Sequence, residues 1–409
     1  MNIILFDDKS VDDLLPLTYT RPLAEIRIGI LTIREKWEYL FNSGSITSTI
    51  THGYLQEKFP LIIAPDNLLI NGSVCPSPEH LKEISKLEKG QQLVYEDYVI
   101  AICISGEALE EMLGRSTVKP LKLQIEQTDY LKIRSEYRNI KIRNLWDIFV
   151  KNAEALTMDF QTITKERKSG KISSENHINR AENVFIEEGA KICCSMINAS
   201  SGPVYIGKDA EIMEGCLIRG PFALCEGSIL KMGAKIYGPT TIGPNCKIGG
   251  EINNSVIFGY SNKAHDGFLG NSVIGEWCNL GADTNTSNLK NNYGEVDIWS
   301  HALHSNIKTG LQFCGLIIAD HGKTGINTML NTGTVIGVNA NVFGAGFPPK
   351  FIPSFSWGGA EGLTEYSIEK AIEVAARVYQ RRNLIFDIEN QKILTEIFKI
   401  SAEHRRVTY

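Results

Sequence analysis

Residues 206–248 read IGKDAEIMEGCLIRGPFALCEGSILKMGAKIYGPTTIGPNCKI, and this stretch decides the fold of the longer part of the chain. Every sixth residue is isoleucine or leucine at eight consecutive positions: Ile206, Ile212, Ile218, Leu224, Leu230, Ile236, Ile242 and Ile248. A period of six fits neither an α-helix nor an alternating β-strand. It is typical of a left-handed parallel β-helix of triangular cross-section, in which each hexad forms one side and its aliphatic residue points inward. A β-sandwich with coincidental spacing is the alternative.

The rest of the chain divides around this repeat. Short apolar runs alternate with helix-like segments before it, which favours an α/β sheet domain. A helical period follows it, with Thr364 as the expected N-cap. The expected divisions are an α/β domain at 1–155, a charged linker at 156–182, the β-helix at 183–346, a proline- and aromatic-rich linker at 347–363, and C-terminal helices at 364–409.

Composition excludes several classes of protein. The chain has 409 residues, of which 43% are hydrophobic and 22% charged, and its net charge is −5. Such a balance is that of a globular protein and argues against a dedicated nucleic-acid surface. No run of about 18 uncharged apolar residues is present, and the first residues lack a basic signal-peptide region. We therefore expect a soluble, cytoplasmic chain with neither nucleic acid nor membrane as a partner.

The hexad pattern weakens at 253–272 and 281–325, where we expect loops that leave the β-helix. The first interruption contains Ser261-Asn-Lys-Ala-His265-Asp-Gly-Phe268-Leu-Gly, and Asn279-Leu-Gly-Ala-Asp-Thr follows it. The second ends in Asp320-His321-Gly-Lys-Thr-Gly-Ile-Asn327. These motifs resemble the acetyltransferase half of the bifunctional N-acetylglucosamine-1-phosphate uridyltransferase / glucosamine-1-phosphate N-acetyltransferase family (GlmU-like), in a divergent bacterial branch.

The resemblance implies acetyl-CoA-dependent N-acetylation of an amino-sugar phosphate, with glucosamine-1-phosphate as the first candidate, by a homotrimer. It implies the following contacts: His265 and Asn279 as catalytic residues; Lys263, Phe268, Asn288 and Lys290 at the substrate; and His321, Lys323 and Thr324 at acetyl-CoA. A histidine suits the role of base because its ordinary pKa of about 6.5 leaves it mostly neutral near pH 7. One residue departs from the family pattern, since Phe268 stands where a tyrosine is usual.

The first domain resembles sugar nucleotidyltransferases of the same family. It has the first strand, Ile3–Phe6, and the end of the phosphate-loop motif, Leu14-Leu-Pro16-Leu-Thr18-Tyr-Thr20-Arg21-Pro22. Between them, Asp7–Asp13 contains four carboxylates and no glycine. Two interpretations stay open. Either Asp7, Arg21 and Asp66 still bind a nucleotide such as UTP, with Mg²⁺ held by Asp66, or nucleotidyl transfer has been lost.

Two alternatives to an acetyltransferase remain. The altered phosphate loop is compatible with a catalytically degenerate scaffold or sugar-nucleotide-binding protein. His301 and His304, three residues apart, are compatible with a zinc hydratase on a β-helix, because three imidazoles can bind Zn²⁺ and acidify its water.

Overall fold

The computed structural model describes residues 2–41, 47–114 and 129–408. The chain forms two compact units. Unit 1 comprises Met1–Leu14, Thr18–Ile26 and Leu31–Asn144, and unit 2 comprises Leu15–Leu17, Arg27–Ile30 and Leu145–Tyr409. Within the described ranges, no helix has the length and apolar content that a membrane crossing requires.

Unit 1 is an α/β domain built on a mixed six-stranded sheet, which confirms the predicted class. Its strands are β1 (Asn2–Phe6), β2 (Ser48–Ile50), β3 (Asp66–Asn71), β4 (Val74–Cys75), β5 (Gln91–Tyr95), β6 (Tyr98–Ser105), β7 (Leu131–Arg134) and β8 (Ile140–Lys141). Its helices are α1 (Ser10–Asp13), α2 (Ile33–Phe41), α3 (Pro78–Ile84) and α4 (Gly106–Gly114). The strand order is β2-β1-β3-β6-β5-β7, and β4 pairs with β8. Strand β1 runs parallel to β2 and β3, so the carboxyl ends of these three strands lie at one edge of the sheet.

Unit 2 is a parallel β-helix with three faces, as the hexads predict. The first face holds β10 (Val184–Ile186), β13 (Val204–Ile206), β16 (Phe222–Leu224), β19 (Thr240–Ile242), β22 (Val256–Ile257), β25 (Val273–Ile274), β30 (Leu316–Ile318), β33 (Thr334–Ile336) and β35 (Phe351–Ile352). The second holds β11 (Lys191–Ile192), β14 (Glu211–Ile212), β17 (Ile229–Leu230), β20 (Lys247–Ile248), β23 (Asn262–Lys263), β26 (Asn279–Leu280), β31 (Lys323–Thr324), β34 (Asn341–Val342), β36 (Ser356–Gly359) and β37 (Gly362–Glu365). The third holds β9 (His177–Asn179), β12 (Met196–Asn198), β15 (Leu217–Arg219), β18 (Lys235–Tyr237), β21 (Glu251–Asn253) and β24 (Phe268–Gly270), followed by the pair β27 (Asn285–Thr286) and β32 (Met329–Leu330).

The register explains the period of six. Ile206, Leu224 and Ile242 are neighbours on the first face, and the other hexad aliphatics stack in the same way on the second and third faces. Successive hexads therefore occupy successive faces, and one turn of the β-helix takes three of them. None of the eight aliphatic side chains is more than 3% exposed. They form one continuous core along the axis, whose burial is the main stabilising contribution to this unit.

The expectation that residues 253–272 leave the β-helix is wrong. The inward column continues through Ile257, Lys263 and Leu269 at the same period of six, and these residues pair with Ile242, Ile248 and Ile252 of the preceding turn. The pattern breaks because the inward position moves from Ile248 to Ile252 and then to Ile257, by steps shorter than six residues, and because the next inward position holds a lysine. Only the second interruption forms an insertion, which includes the antiparallel hairpin of β28 (Asp297–Ser300) and β29 (Ser305–Lys308).

Five helices belong to unit 2. They are α5 (Asp147–Val150), α6 (Asn152–Ile163), α7 (Ile368–Gln380), α8 (Ile388–Ile400) and α9 (Ala402–Thr408). Thr364 is not an N-cap, because it pairs with Trp357 in the hairpin of β36 and β37. The cap of α7 is Ser367, whose hydroxyl accepts a hydrogen bond from the N–H of Lys370. Ala371 and Ala375 form the buried stripe of this helix.

Candidate functional site

A cavity of about 510 Å³ lies in unit 2, between the second face of the β-helix and the end of α7. The β-helix contributes Lys247, Tyr260, Asn262, Ala264, Trp277, Cys278, Asn279 and Lys323, and the helical segment contributes Val378, Arg381 and Arg382. The polar lining follows from the register, because Lys247, Asn262, Asn279 and Lys323 are outward neighbours on four successive turns. Adjacent strands lie about 4.8 Å apart, so these side chains form a regular polar ladder.

The charge of the cavity is entirely positive. Its lining contains four cationic side chains and no carboxylate. Burial lowers the pKa of Lys323 to about 8, and its ammonium donates to the carbonyl of His321 at 2.8 Å. Burial, and next the charge of Arg382, lower the pKa of Lys247. Positive side chains that lie close together repel one another, and an anionic ligand relieves this repulsion. A phosphate group can accept hydrogen bonds from several such side chains at once.

A stack of aromatic rings holds α7 over the cavity. The ring of Trp277 stacks on Tyr260 at 4.2 Å and on Tyr379 of α7 at 3.9 Å, measured between centroids. His321 lies nearly parallel to Trp277 at 6.4 Å and meets Phe386 edge-on. Both faces of Trp277 are thus covered. The stack places the two arginines at the end of α7 beside the lysines of the β-helix.

His265 lies at the corner that follows β23, in the residue after Ala264 of the cavity lining. Its side chain is exposed. The corner is anchored at two points, because the N–H of Phe268 donates to Asn285 at 2.8 Å and the ammonium of Lys263 donates to the carbonyl of His265 at 2.7 Å. Asn279, also exposed, is the next rung of the ladder after Asn262. Asn279 therefore lines the cavity, whereas His265 follows a lining residue and is not itself part of the lining.

The expected acetyl-CoA contacts divide into surface and interior positions. Lys323 lines the cavity. Thr324 points into the β-helix, where it is buried and its hydroxyl bonds that of Thr284 at 2.8 Å. His321 is buried in the aromatic stack. The last two side chains support the wall of the cavity instead of lining it.

The expected substrate contacts lie mostly in the insertion and its supports. The amide of Asn288 donates to Asn271 at 2.8 Å, at the point where the chain leaves the β-helix. The ammonium of Lys290 bonds the carbonyl of Glu295 and lies 3.3 Å from a carboxylate oxygen of Asp297. Neither residue lines the cavity described above. Phe268 is half-buried on the third face, one residue from the inward Leu269.

In unit 1, the carboxylates of Asp7 and Asp8, in the segment that replaces the phosphate loop, accept hydrogen bonds from other residues of the chain. Asp7 accepts hydrogen bonds from the N–H of Leu23 at 2.8 Å and from the hydroxyl of Thr51 at 2.6 Å. Burial raises the pKa of Asp7 to about 7, against the opposing effect of these two hydrogen bonds. Asp8 forms an ion pair with Lys141 and accepts from the N–H of Ser10 at 2.9 Å. Donors at this edge of the sheet are thus bonded to carboxylates of the chain itself.

The three expected nucleotide ligands do not come together. Asp7 follows the carboxyl end of β1, whereas Asp66 begins the parallel strand β3 at the opposite edge of the sheet. Asp66 is level with position 1 of the parallel neighbour, so six steps of about 3.3 Å separate it from Asp7, about 20 Å in all. Asp66 is exposed and pairs with Lys89, and Arg21 is buried. These positions do not fit a shared Mg²⁺ site, which needs several oxygen ligands around one ion.

Two groups of three potential metal ligands occur in the described residues. One consists of Glu175, Cys193 and Cys194, and the other of His304, Glu403 and His404. Neither His265 nor His321 belongs to either group. The zinc-hydratase interpretation rests on the histidines in the interruptions of the hexad pattern. Of those histidines, His304 belongs to one of the two groups, and the other two members, Glu403 and His404, lie in α9.

Comparison with known proteins gives matches to both units. A sugar nucleotidyl transferase family model matches residues 3–168. The bifunctional protein GlmU of Methanococcus vannielii is 26% identical over 342 residues, which cover 82% of this chain and 70% of that protein. A bifunctional sugar-1-phosphate nucleotidylyltransferase/acetyltransferase of Sulfurisphaera tokodaii is 34% identical over 144 residues, about a third of either chain.

The chain is thus similar to bifunctional proteins of archaea, GlmU among them, at 26% to 34% identity over the matched segments. The match to the Methanococcus protein is longer than either unit, so it extends into both. Among solved structures, a UDP-N-acetylglucosamine acyltransferase of Arabidopsis is similar at 15% identity and a TM-score of 0.28, and covers 56% of this chain and 90% of that one.

Sequence reasoning missed most of the cavity. Lys247 appears in the sequence as an ordinary outward hexad residue, and nothing local distinguishes it. The adjacent arginines Arg381 and Arg382 are separated from it by more than a hundred residues. The usable signal was at the corners, where Tyr260 and Trp277 occupy left-handed positions that glycine, aspartate or asparagine fill on the preceding turns, at Gly189, Asp209, Gly227 and Asn245.

Proposed function

We propose that unit 2 transfers the acyl group of an acyl-CoA, acetyl-CoA in the first instance, to the amine of an amino-sugar phosphate such as glucosamine-1-phosphate. The observation that carries the proposal is the cationic cavity, whose lining includes Ala264, the residue before His265. Coenzyme A carries several phosphate charges, which four cations without a carboxylate would attract. The similarity to GlmU over most of the chain supports the same assignment.

The proposed reaction needs a base and a leaving group. The sugar amine attacks the thioester carbonyl in its neutral form, and His265 accepts the proton that the nitrogen loses as it becomes an amide. The new C–N bond forms as the C–S bond breaks, and the thiolate of coenzyme A leaves and takes up the proton from the imidazolium. Asn279, which pairs with Asn262 on the ladder, holds the acceptor sugar or the imidazole in this proposal. Phe268 supplies no hydroxyl to the acyl oxygen, in contrast to the tyrosine of the resembling family.

A trimer is the proposed assembly. Ile385, between α7 and α8, and Ile388, the first residue of α8, are exposed, at 86% and 54%. Such residues are suited to burial against a second copy of the chain. His265 is exposed in the single chain, so a neighbouring copy would also close the site.

The test is thiol release from acetyl-CoA in the presence of glucosamine-1-phosphate. We expect turnover by the wild type and a loss of about 10²-fold or more in kcat for His265→Ala, because a general base contributes about that factor. His177→Ala is a matched control, since His177 is exposed on the third face, outside the cavity lining. Binding of acetyl-CoA without turnover would instead support the scaffold interpretation, and an unchanged rate in His265→Ala would reject the assigned base.

For unit 1, the proposal is that nucleotidyl transfer has been lost while the fold is kept. Its support is that Leu23, Thr51, Ser10 and Lys141 already donate to Asp7 and Asp8. A nucleoside triphosphate would have to displace these carboxylates and overcome their charge. We expect no pyrophosphate release from UTP and N-acetylglucosamine-1-phosphate with Mg²⁺ present. Release above the rate of a protein-free control would contradict this part of the proposal and favour the bifunctional assignment of the relatives.

A further inference from the structure

An inward-facing lysine lies beneath the His265 corner. The register of the second face aligns Ile212, Leu230, Ile248, Lys263 and Leu280 in one column. The position between Ile248 and Leu280 is therefore a core position of the β-helix. Lys263 is only 2% exposed. A buried lysine costs stability because its ammonium loses its hydration, so a lysine here needs a compensating role.

The ammonium of Lys263 reaches the backbone of the corner from inside. It donates to the carbonyl of His265 at 2.7 Å and to that of Gly249 at 3.2 Å. Gly250 makes room for it, since a Cβ at this position would lie 2.8 Å from the ammonium and 2.9 Å from the His265 carbonyl. Gly250 also has a φ of +75°, a conformation that few other residues adopt. Two features of the chain, the lysine and the glycine, thus converge on one carbonyl group.

The hydrogen bond from Lys263 holds the backbone of His265 in place. The carbonyl of His265 is bound by Lys263, and the N–H of Phe268 is bound by Asn285. Between these points the chain turns through Gly267, where a Cβ would lie 2.3 Å from the carbonyl of Thr284. The corner is therefore held on both sides and packed against the next turn, and the backbone of His265 has one defined orientation.

We propose that Lys263 is a positioning residue for acyl transfer, which holds the backbone of His265 from inside the β-helix so that its imidazole meets the acceptor amine. This inference rests on the function proposed above and changes the expected role of Lys263, from a substrate contact to an internal support. Burial lowers the pKa of Lys263 to about 8, against the charges of Asp266 and Asp283, and either protonation state of the amine can donate these hydrogen bonds.

The experiment compares Lys263→Met with Ile248→Met. Methionine has nearly the length of lysine without the ammonium, and Ile248→Met introduces the same side chain one turn away in the same column. We expect Lys263→Met to lower kcat by about 10²-fold, the effect of a misplacement of about 1 Å, with KM for both substrates within threefold. The melting temperature should be unchanged or higher, because a desolvated ammonium is removed. Ile248→Met should keep its kcat.

A second readout does not depend on turnover. Hydrogen exchange of the amides at 265–268 should be at least about tenfold faster in Lys263→Met than in Ile248→Met, since one anchor of the corner is gone. If the wild type shows no acyl transfer but exchange responds in this way, the proposed function fails and the structural role of Lys263 stands. If exchange and kcat are both unchanged in Lys263→Met, the inference is overturned. If the melting temperature of Lys263→Met falls together with its kcat, the inference is overturned as well, because the loss of activity is then explained by the loss of stability.

Discussion

Asp7 gives a stability prediction whose sign and size can be worked out. Its carboxyl group is buried, and the pKa rises from 3.8 to about 7 in the folded chain. Because the folded state holds the proton more tightly, this group favours folding at low pH, fully so below about pH 4. That contribution is lost as the pH rises through about 7. A difference of about 3 in pKa, at about 1.4 kcal/mol for each, corresponds to about 4 kcal/mol.

Asp7→Asn removes the titration while it keeps a polar side chain of the same shape. We expect the variant to gain about 2 to 4 kcal/mol over the wild type at pH 8, and to gain nothing at pH 4. The assay is hydrogen exchange of the β1 and β3 amides between pH 4 and pH 8 in the intact chain, corrected for intrinsic exchange, because it reports the opening of unit 1 alone. Asp66→Asn is the control, since Asp66 lies exposed in the same sheet. Equal pH dependence in the wild type and Asp7→Asn would refute the reasoning.

Two further predictions concern unit 2. Lys323→Ala and Arg381→Ala should each raise KM for acetyl-CoA about tenfold with little change in kcat, because each removes a charge-assisted contact. Arg377→Ala, one turn earlier on α7 and paired with Glu373, should leave KM unchanged, and equal effects of all three would argue against the cavity as the donor site. Acyl transfer should survive dialysis against EDTA, because His265 belongs to neither group of potential metal ligands among the described residues. Loss of activity that Zn²⁺ restores would revive the hydratase interpretation.

The sequence predicts the β-helix well because its constraint is local and periodic. Each inward position has the same neighbours one turn away, so a single rule holds over many residues. The prediction failed at 253–272 because the inward positions shift to Ile252 and Ile257 by steps shorter than six residues, and because a rule that counts aliphatic residues cannot recognise Lys263 as a core residue. The cationic cavity could not be predicted, because it joins Lys247 to Arg381 through the stacking of Tyr379 on Trp277. That contact depends on tertiary packing, and no local pattern encodes it.

The departures from the local rules of the fold are concentrated in the same few turns. Inward positions are aliphatic through most of the β-helix, yet Lys263, Thr286 and Thr324 are polar and buried on successive turns around the His265 corner. The left-handed corners carry Tyr260 and Trp277 in these turns, where side chains of this size strain the backbone. The polar inward residues and the large side chains at left-handed corners each cost stability, and the β-helix fold requires neither of them. Since chains retain such costs mainly at sites of function, the irregularities favour the proposed site in these turns. This argument is independent of the resemblance to any family and of the charge of the cavity, and it leads to the same corner.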